Sequence, residues 1–173
     1  EVRPSIIKYY CIGIKGTGMS TLAQMLYDMG NEVSGYDDAK DYKFTEKGLK
    51  MRGIKIFYDG NHELAKDTIV TASRAFSEDH PEMKRVKELG LTFKPYNEVV
   101  GGITKEFDTI SICGTHGKTT TTSLLKHLFE NTTGCNYFIG DGTGHIDVKN
   151  RLLLIESDEF NRHFLAYYPK KAI

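Results

Sequence analysis

Hydrophobic and polar positions along the chain follow two periods in turn, and the points of change recur. Residues 8–14 (Lys-Tyr-Tyr-Cys-Ile-Gly-Ile) are rich in β-formers and predict a buried first strand. Gly13, Gly16 and Gly18 interrupt it. Met19, Leu22, Ala23, Leu26 and Met29 then fall at helical spacing, with Gly30 as the stop. Residues 32–37 read as a second strand that ends on Asp37, which completes the first βαβ unit of a Rossmann-like sheet. A polar helix near 44–51 and a short strand over 54–57 follow, then a turn at Asp59-Gly60-Asn61. Residues 68–71 are strand-like. Pro81 opens a helix whose apolar stripe is Met83, Val86 and Leu89, and Gly90 closes it. A further strand is predicted over 91–94. This segment is about one hundred residues long, an ordinary size for one domain.

Gly101-Gly102, followed by Thr104-Lys105-Glu106, is the best linker candidate, so the chain divides into units 1–102 and 103–173. The second opens on an apolar-rich strand (Ile110, Ile112, Cys113) that enters the turn Gly114-Thr115-His116-Gly117-Lys118-Thr119. A helix follows at once, with Leu124, Leu125, Leu128 and Phe129 on one face. Residues 135–139 are a strand, Gly140-Asp-Gly-Thr-Gly144 is expected to be a flexible loop, and 151–155 form an apolar strand ending in Glu156-Ser157-Asp158-Glu159. The fold class is α/β: a Rossmann-like parallel-sheet domain followed by part of a P-loop-type α/β domain.

Composition narrows the function. Lys+Arg and Asp+Glu number 23 each, a formal net charge of zero. A nucleic-acid module would show a basic excess or stripe, so no nucleic-acid partner is expected. No run approaches the roughly eighteen apolar residues of a membrane span. Glu1-Val-Arg-Pro4 lacks the layout of a secretion signal. Cys11, Cys113 and Cys135 are odd in number and widely spaced, which fits a reducing, cytoplasmic compartment.

Three places carry candidate chemistry. Strand, glycine loop and helix with Lys118-Thr119 at the junction make a phosphate cradle. Loop amides and the helix N-terminus point donors at an anion, Lys118 reaches the outer phosphates, and Thr119 places its hydroxyl on Mg²⁺. The loop is shorter than the usual G-x-x-x-x-G-K-[ST], because Ile112 stands where that pattern has glycine; the plainer alternative is a surface turn capped by threonine. The first glycine turn, Gly16-Thr17-Gly18, lacks the third glycine of a dinucleotide fingerprint, while Asp37 lies about where a ribose-binding acid belongs. That suggests a nucleotide diphosphate more than NAD, against the alternative of a tight turn that needs glycine only for packing. Acids at the end of the strand over 151–155 are either metal ligands or a solvated turn.

Taken in order, Gly13-Ile-Lys-Gly-Thr-Gly-Met-Ser20, Gly114-Thr-His-Gly-Lys-Thr-Thr-Thr-Thr122 and Glu156-Ser-Asp-Glu-Phe-Asn-Arg-His-Phe-Leu165 resemble the Mur ligase family. The similarity extends over the whole chain, including Asp79-His-Pro-Glu82 and the segment from Tyr168 to Ile173. It implies a first domain holding a UDP-sugar and a central domain binding ATP. The activity implied is ATP-dependent ligation of L-alanine to UDP-N-acetylmuramate through an acyl phosphate, in peptidoglycan precursor synthesis. By resemblance, Gly16, Thr17, Gly18, Met19 and Ser20 cradle the UDP diphosphate, Asp37 sits near the uridine, and Ser73 with Arg74 lines the same pocket. Gly114, Thr115, His116, Gly117, Lys118, Thr119 and Thr120 wrap the ATP phosphates, Lys118 is the catalytic group, and Thr119 with Glu156 holds Mg²⁺. A branched residue at Gly18 is expected to fill the diphosphate's space and to resist a backbone with φ > 0.

Tyr36 departs from the family, which often has serine there. The resemblance also implies further strands, an adenine pocket and a third domain beyond Ile173, so the chain alone is expected to be inactive and to carry an open sheet edge that invites self-association. Alternatives are a murein-recycling peptide ligase of the same family, an NAD-dependent oxidoreductase, and a UDP-sugar-binding module without catalysis.

Overall fold

A computed structural model describes residues 5–157 and 166–173. The first unit runs β1 (Lys8–Ile12), α1 (Thr17–Asp28), β2 (Glu32–Tyr36), α2 (Glu46–Met51), β3 (Lys55–Phe57), β4 (Ile69–Ala72), α3 (Pro81–Glu88) and β5 (Thr92–Phe93). Its strands pair in parallel in the order β3-β2-β1-β4-β5, so the order reverses between β1 and β4. Such a reversal opens a crevice at the carboxyl ends of the strands. After α4 (Tyr96–Glu106) come β6 (Asp108–Ile112), α5 (Lys118–Glu130), β7 (Asn136–Ile139), β8 (Thr143–His145), β9 (Leu152–Glu156) and β10 (Lys171–Ala172). This second sheet has the order β10-β6-β9-β7-β8 and is parallel except for β8, which runs antiparallel to β7.

Strand alternation assigns the core. On β1, Tyr10 and Ile12 face α3 and pack with Val70 and Val86, while Cys11 faces the opposite side with Leu22 and Leu26 of α1. On β9, Leu153 and Ile155 join that same α1 cluster, whereas Leu154 faces Leu125 and Phe129 of α5. The helices α1 and α4 therefore lie between the two sheets, with α3 and α5 on the outer faces. Each fully buried Leu, Ile or Met in the shared cluster contributes roughly 1.5–3 kcal/mol. Cys11 is buried in that cluster, Cys135 is buried on the α5 face of the second sheet, and Cys113 is exposed; all three thiols are free.

Three expectations need correcting. Gly101-Gly102 is not a linker but lies in the middle of α4, whose Val99, Val100 and Ile103 are buried in the shared core. Glycine is required at 101 because a Cβ there would come within 2.1 Å of the Ala166 carbonyl oxygen. Residues 140–144 are not a loose loop; they form the turn of the β7–β8 hairpin and the first two residues of β8, which docks on α1. Leu124 and Leu128 point to solvent, at 58% and 54% exposure, because α5 has a sheet on one side only. The motif residues 158–165 lie outside the described residues, as do Glu1 to Pro4.

Candidate functional site

The first glycine turn is held from behind. Gly13 takes φ of 81°, and a Cβ on it would meet Ser73 Cβ at 2.8 Å and Phe76 Cε2 at 2.9 Å, so only glycine fits. The amides of Gly13 and Ile14 both donate to the Tyr36 carbonyl oxygen, at 2.7 and 3.1 Å. Gly16 caps α1 without a side-chain bond, so the first-turn amides of α1 receive no side-chain cap. A helix end of this kind favours an anion. Gly18, by contrast, does not need positive φ, contrary to expectation; what stands close is Tyr96, whose hydroxyl is 2.9 Å from where a Cβ would be.

The second turn needs its glycines for conformation. Gly114 has φ of 141° and Gly117, which caps α5, has φ of 81°. Lys118 Nζ donates to the Gly114 carbonyl oxygen at 2.6 Å, folding the lysine back over its own loop. Ile112 is in register with Glu156 across the parallel β6–β9 pair, which delivers that carboxylate to the loop. Thr119 Oγ1 donates to Glu156 Oε2 at 3.2 Å. Glycine at 140 permits this approach, since a Cβ there would lie 2.4 Å from Glu156 Oε2.

Glu156 Oε1 is buried and has no hydrogen-bond partner among the described residues. Burial pushes its carboxyl above the usual value, against the bonds from Thr119 and the Gly140 amide. A buried carboxylate oxygen lacking a donor, beside a threonine hydroxyl, is a donor set that suits a hard divalent cation. The residues therefore fit Mg²⁺.

One cavity of about 930 Å³ joins the two turns. Gly16 to Met19 form one wall, Lys118, Gly140 and Glu156 another, and Ser73 with Arg74 a third. Between them lies an apolar floor that includes Val70, Phe76 and Met83. The structure brings these predicted residues together and leaves others out. Ser20 is buried inside α1 and donates to the Thr45 carbonyl oxygen at 2.9 Å. Asp37 is also buried and does not line the cavity. Its two oxygens accept from the backbone amides of Lys15 (2.9 Å) and Ala39 (3.0 Å), so it ties the glycine turn to the loop after β2. Thr115 and His116 in the second loop and Thr120 in the first turn of α5 are exposed and do not line the cavity.

Sequence reasoning missed Tyr96 and Tyr167, both of which line the cavity. Neither belongs to a glycine motif, so no local signal marks them. It also missed Lys15, the one charged residue inside the first turn, which points away from the cavity.

A profile described as Mur ligase family, catalytic domain, matches residues 8–108. The UDP-N-acetylmuramate–L-alanine ligase of Lactiplantibacillus plantarum is 44% identical over 95% of this chain, which spans 38% of that relative. The enzyme of the same name from Lacticaseibacillus paracasei is 46% identical over 93% of the chain and 37% of its own length. The chain thus spans well under half of the curated relatives it matches. Among solved structures, the UDP-N-acetylmuramate-alanine ligase of Thermotoga maritima superposes with a TM-score of 0.81 at 24% identity, over 96% of this chain and 40% of that one. A UDP-N-acetylmuramate:L-alanyl-gamma-D-glutamyl-meso-diaminopimelate ligase from Neisseria meningitides gives 0.82 at 24% identity, over 97% and 60%.

Proposed function

The chain belongs to the Mur ligase family, and on that premise we propose that it carries the UDP-N-acetylmuramate site and the ATP-phosphate site of an ATP-dependent L-alanine ligase of peptidoglycan precursor synthesis. The observation that carries this reading is the single cavity with the α1 N-terminus on one wall and Lys118 with Glu156 on the other. The curated relatives at 44% and 46% identity bear the L-alanine ligase name. The solved murein peptide ligases are 24% and 22% identical to this chain, which speaks for the fold alone.

In this reading the diphosphate lies on the first-turn amides of α1, and the sugar's lactyl carboxylate points across the cavity toward the second loop. The carboxylate attacks the γ-phosphorus of ATP and ADP leaves, giving an acyl phosphate; the amine of L-alanine then attacks the acyl carbon, expelling inorganic phosphate and losing a proton as the amide forms. Protein groups position the reactants and neutralise charge here. Lys118 exchanges the Gly114 carbonyl for a phosphate oxygen, and the α5 N-terminus supplies oriented amides. Mg²⁺ held by Thr119 and Glu156 would neutralise phosphate charge. An NAD-dependent oxidoreductase is disfavoured, because both oxygens of Asp37 are engaged by backbone amides rather than turned toward a ribose.

Calorimetric titration of UDP-N-acetylmuramate into the 173-residue chain tests the reading. A one-to-one site is expected that Gly18→Val abolishes, because its branched side chain enters the space between α1 and Tyr96. Unchanged affinity in that variant places the ligand elsewhere, and binding of NADH in place of the UDP-sugar supports the oxidoreductase.

A further inference from the structure

The proposed ligand sites belong to different sheets, and one set of side chains fastens them together. The β8 strand is the outer strand of the second sheet, so one side of its backbone has no neighbouring strand among the described residues. That side meets α1 and α2. Gln24 Nε2 donates to the Gly142 carbonyl oxygen at 3.1 Å, Arg52 Nη2 to the Gly144 carbonyl oxygen at 3.0 Å, and the Ile146 amide to Asp28 Oδ2 at 3.1 Å. Residues 142, 144 and 146 are alternate positions, so three side chains satisfy the backbone groups that a further strand would otherwise take.

Arg52 is the centre of this arrangement. Its Nε and Nη2 grip Asp28 at 2.8 and 3.0 Å, and its Nη1 donates to Gln24 Oε1 at 2.9 Å and to the Gly48 carbonyl oxygen at 3.0 Å. With the bond to Gly144, all five guanidinium N–H groups are used. The fit is close elsewhere too: a Cβ at Gly144 would sit 2.6 Å from Thr21 Cγ2. His145 Nδ1 lies 3.3 Å from Asp28 as well.

We infer that Arg52, with Gln24 and Asp28, is a positioning device that couples the UDP-sugar site to the phosphate loop. The path is short. The N-terminal turn of α1 lines the cavity, its body and C-terminal end hold the β7–β8 hairpin, and the first residue of that hairpin's turn, Gly140, lies against Glu156 and Thr119. None of the three side chains lines the cavity, so they act through the hairpin rather than on ligand. Ordering α1 by a ligand at its N-terminus therefore orders the hairpin and the loop behind Glu156. This inference rests on the reading of α1 as the diphosphate site.

Hydrogen exchange on the chain with and without saturating UDP-N-acetylmuramate tests it. In the wild type, amide exchange should slow at residues 16–21 and also at 140–146 and 114–120. The distal slowing should be about 5-fold or more, the lower end of site-to-site couplings. Arg52→Lys cannot satisfy five fixed directions and should keep the effect at 16–21 while losing it at the hairpin and loop. Gln24→Glu removes the donor to Gly142 while leaving the Arg52 contact, and should weaken the distal effect even if Arg52→Lys fails to fold. Slowing confined to 16–21 in the wild type, or equal distal slowing in both variants, overturns the coupling and leaves the function reading intact. No slowing anywhere overturns the function reading and the coupling with it.

Discussion

The two strand–glycine–helix junctions look alike in sequence and end differently in space. Each carries one lysine. Lys15 in the first is fully buried: its amine reaches the Ala39 and Asp41 carbonyl oxygens at 2.5 and 3.0 Å and Glu46 Oε1 at 3.0 Å, and lies over the Tyr58 ring. Lys118 in the second lines the cavity. The helices differ in the same sense. Eight consecutive residues of α1, Met19 to Leu26, are buried, whereas in α5 only Thr122 is. The cause is position: α1 is held between two sheets and α5 covers one. A lysine in a glycine turn becomes an internal tie when the adjoining loop folds over it, as at Lys15, and reaches its own loop at a cavity's edge when none does, as at Lys118.

Exchanging the lysines' surroundings should break the comparison most visibly. Lys15→Met leaves buried Glu46 with only the exposed Lys50, 4.0 Å away, as a cation among the described residues and should cost about 3 kcal/mol of stability, the lower end for a broken buried pair, since the Lys43 amide and Tyr58 hydroxyl also still reach it. Lys118→Ala should leave the urea midpoint nearly unchanged. If the proposed function holds, in an active ligase carrying this segment it should instead lower kcat by about 10²–10³, the usual loss for an electrostatic group at a reacting centre. Equal destabilisation by the two changes would contradict the contrast. His116→Asn, at an exposed position in the same loop, should retain substantial activity; a loss matching that of Lys118→Ala would move His116 into the phosphate site.

The helices can be compared in the same way. Leu22→Ala in α1 removes a fully buried side chain and should cost about 2–5 kcal/mol. Leu124→Ala in α5 should stay within about 0.5 kcal/mol. Thermal melts of both variants read the difference, and a large cost for Leu124 would mean that a partner covers α5 in solution.

The smallest expected effect is on pH dependence. Burial opposes the charge of Glu46, but bonds from Lys15 and the Lys43 amide win, so its carboxyl titrates below the ordinary 4.5. For Lys15, burial again opposes the charge and the interactions with Tyr58 and Glu46 outweigh it, so its pKa is raised. A depressed acid contributes stability that is present above about pH 4.5 and is lost as pH falls through its lowered value. Glu46→Gln should therefore flatten the acid limb of the stability curve while leaving its shape above pH 6. An acid limb parallel to that of the wild type would show that the pair does not set it.

Local chemistry, and so the sequence, determined a good deal. The strand periods of 8–12 and 152–156, the glycine stops at 30 and 90, Pro81 at a helix start and the positive-φ glycines 114 and 117 are each decided by a few neighbouring residues. So is the order of the elements, which places both glycine turns at strand ends and makes the fold class legible. What only the tertiary structure decided are directions and partners. Gly101-Gly102 has the composition of a linker, yet it is helical because burying Val99, Val100 and Ile103 outweighs the cost of two glycines. Residues 140–144 look mobile, yet their backbone is held by Gln24 and Arg52 from far along the chain. Lys15 and Asp37 carry the composition of a nucleotide site, yet both turn inward to tie loops together. A side chain's direction depends on which buried groups lie within a few ångströms, and chain folding sets that distance, not spacing along the sequence.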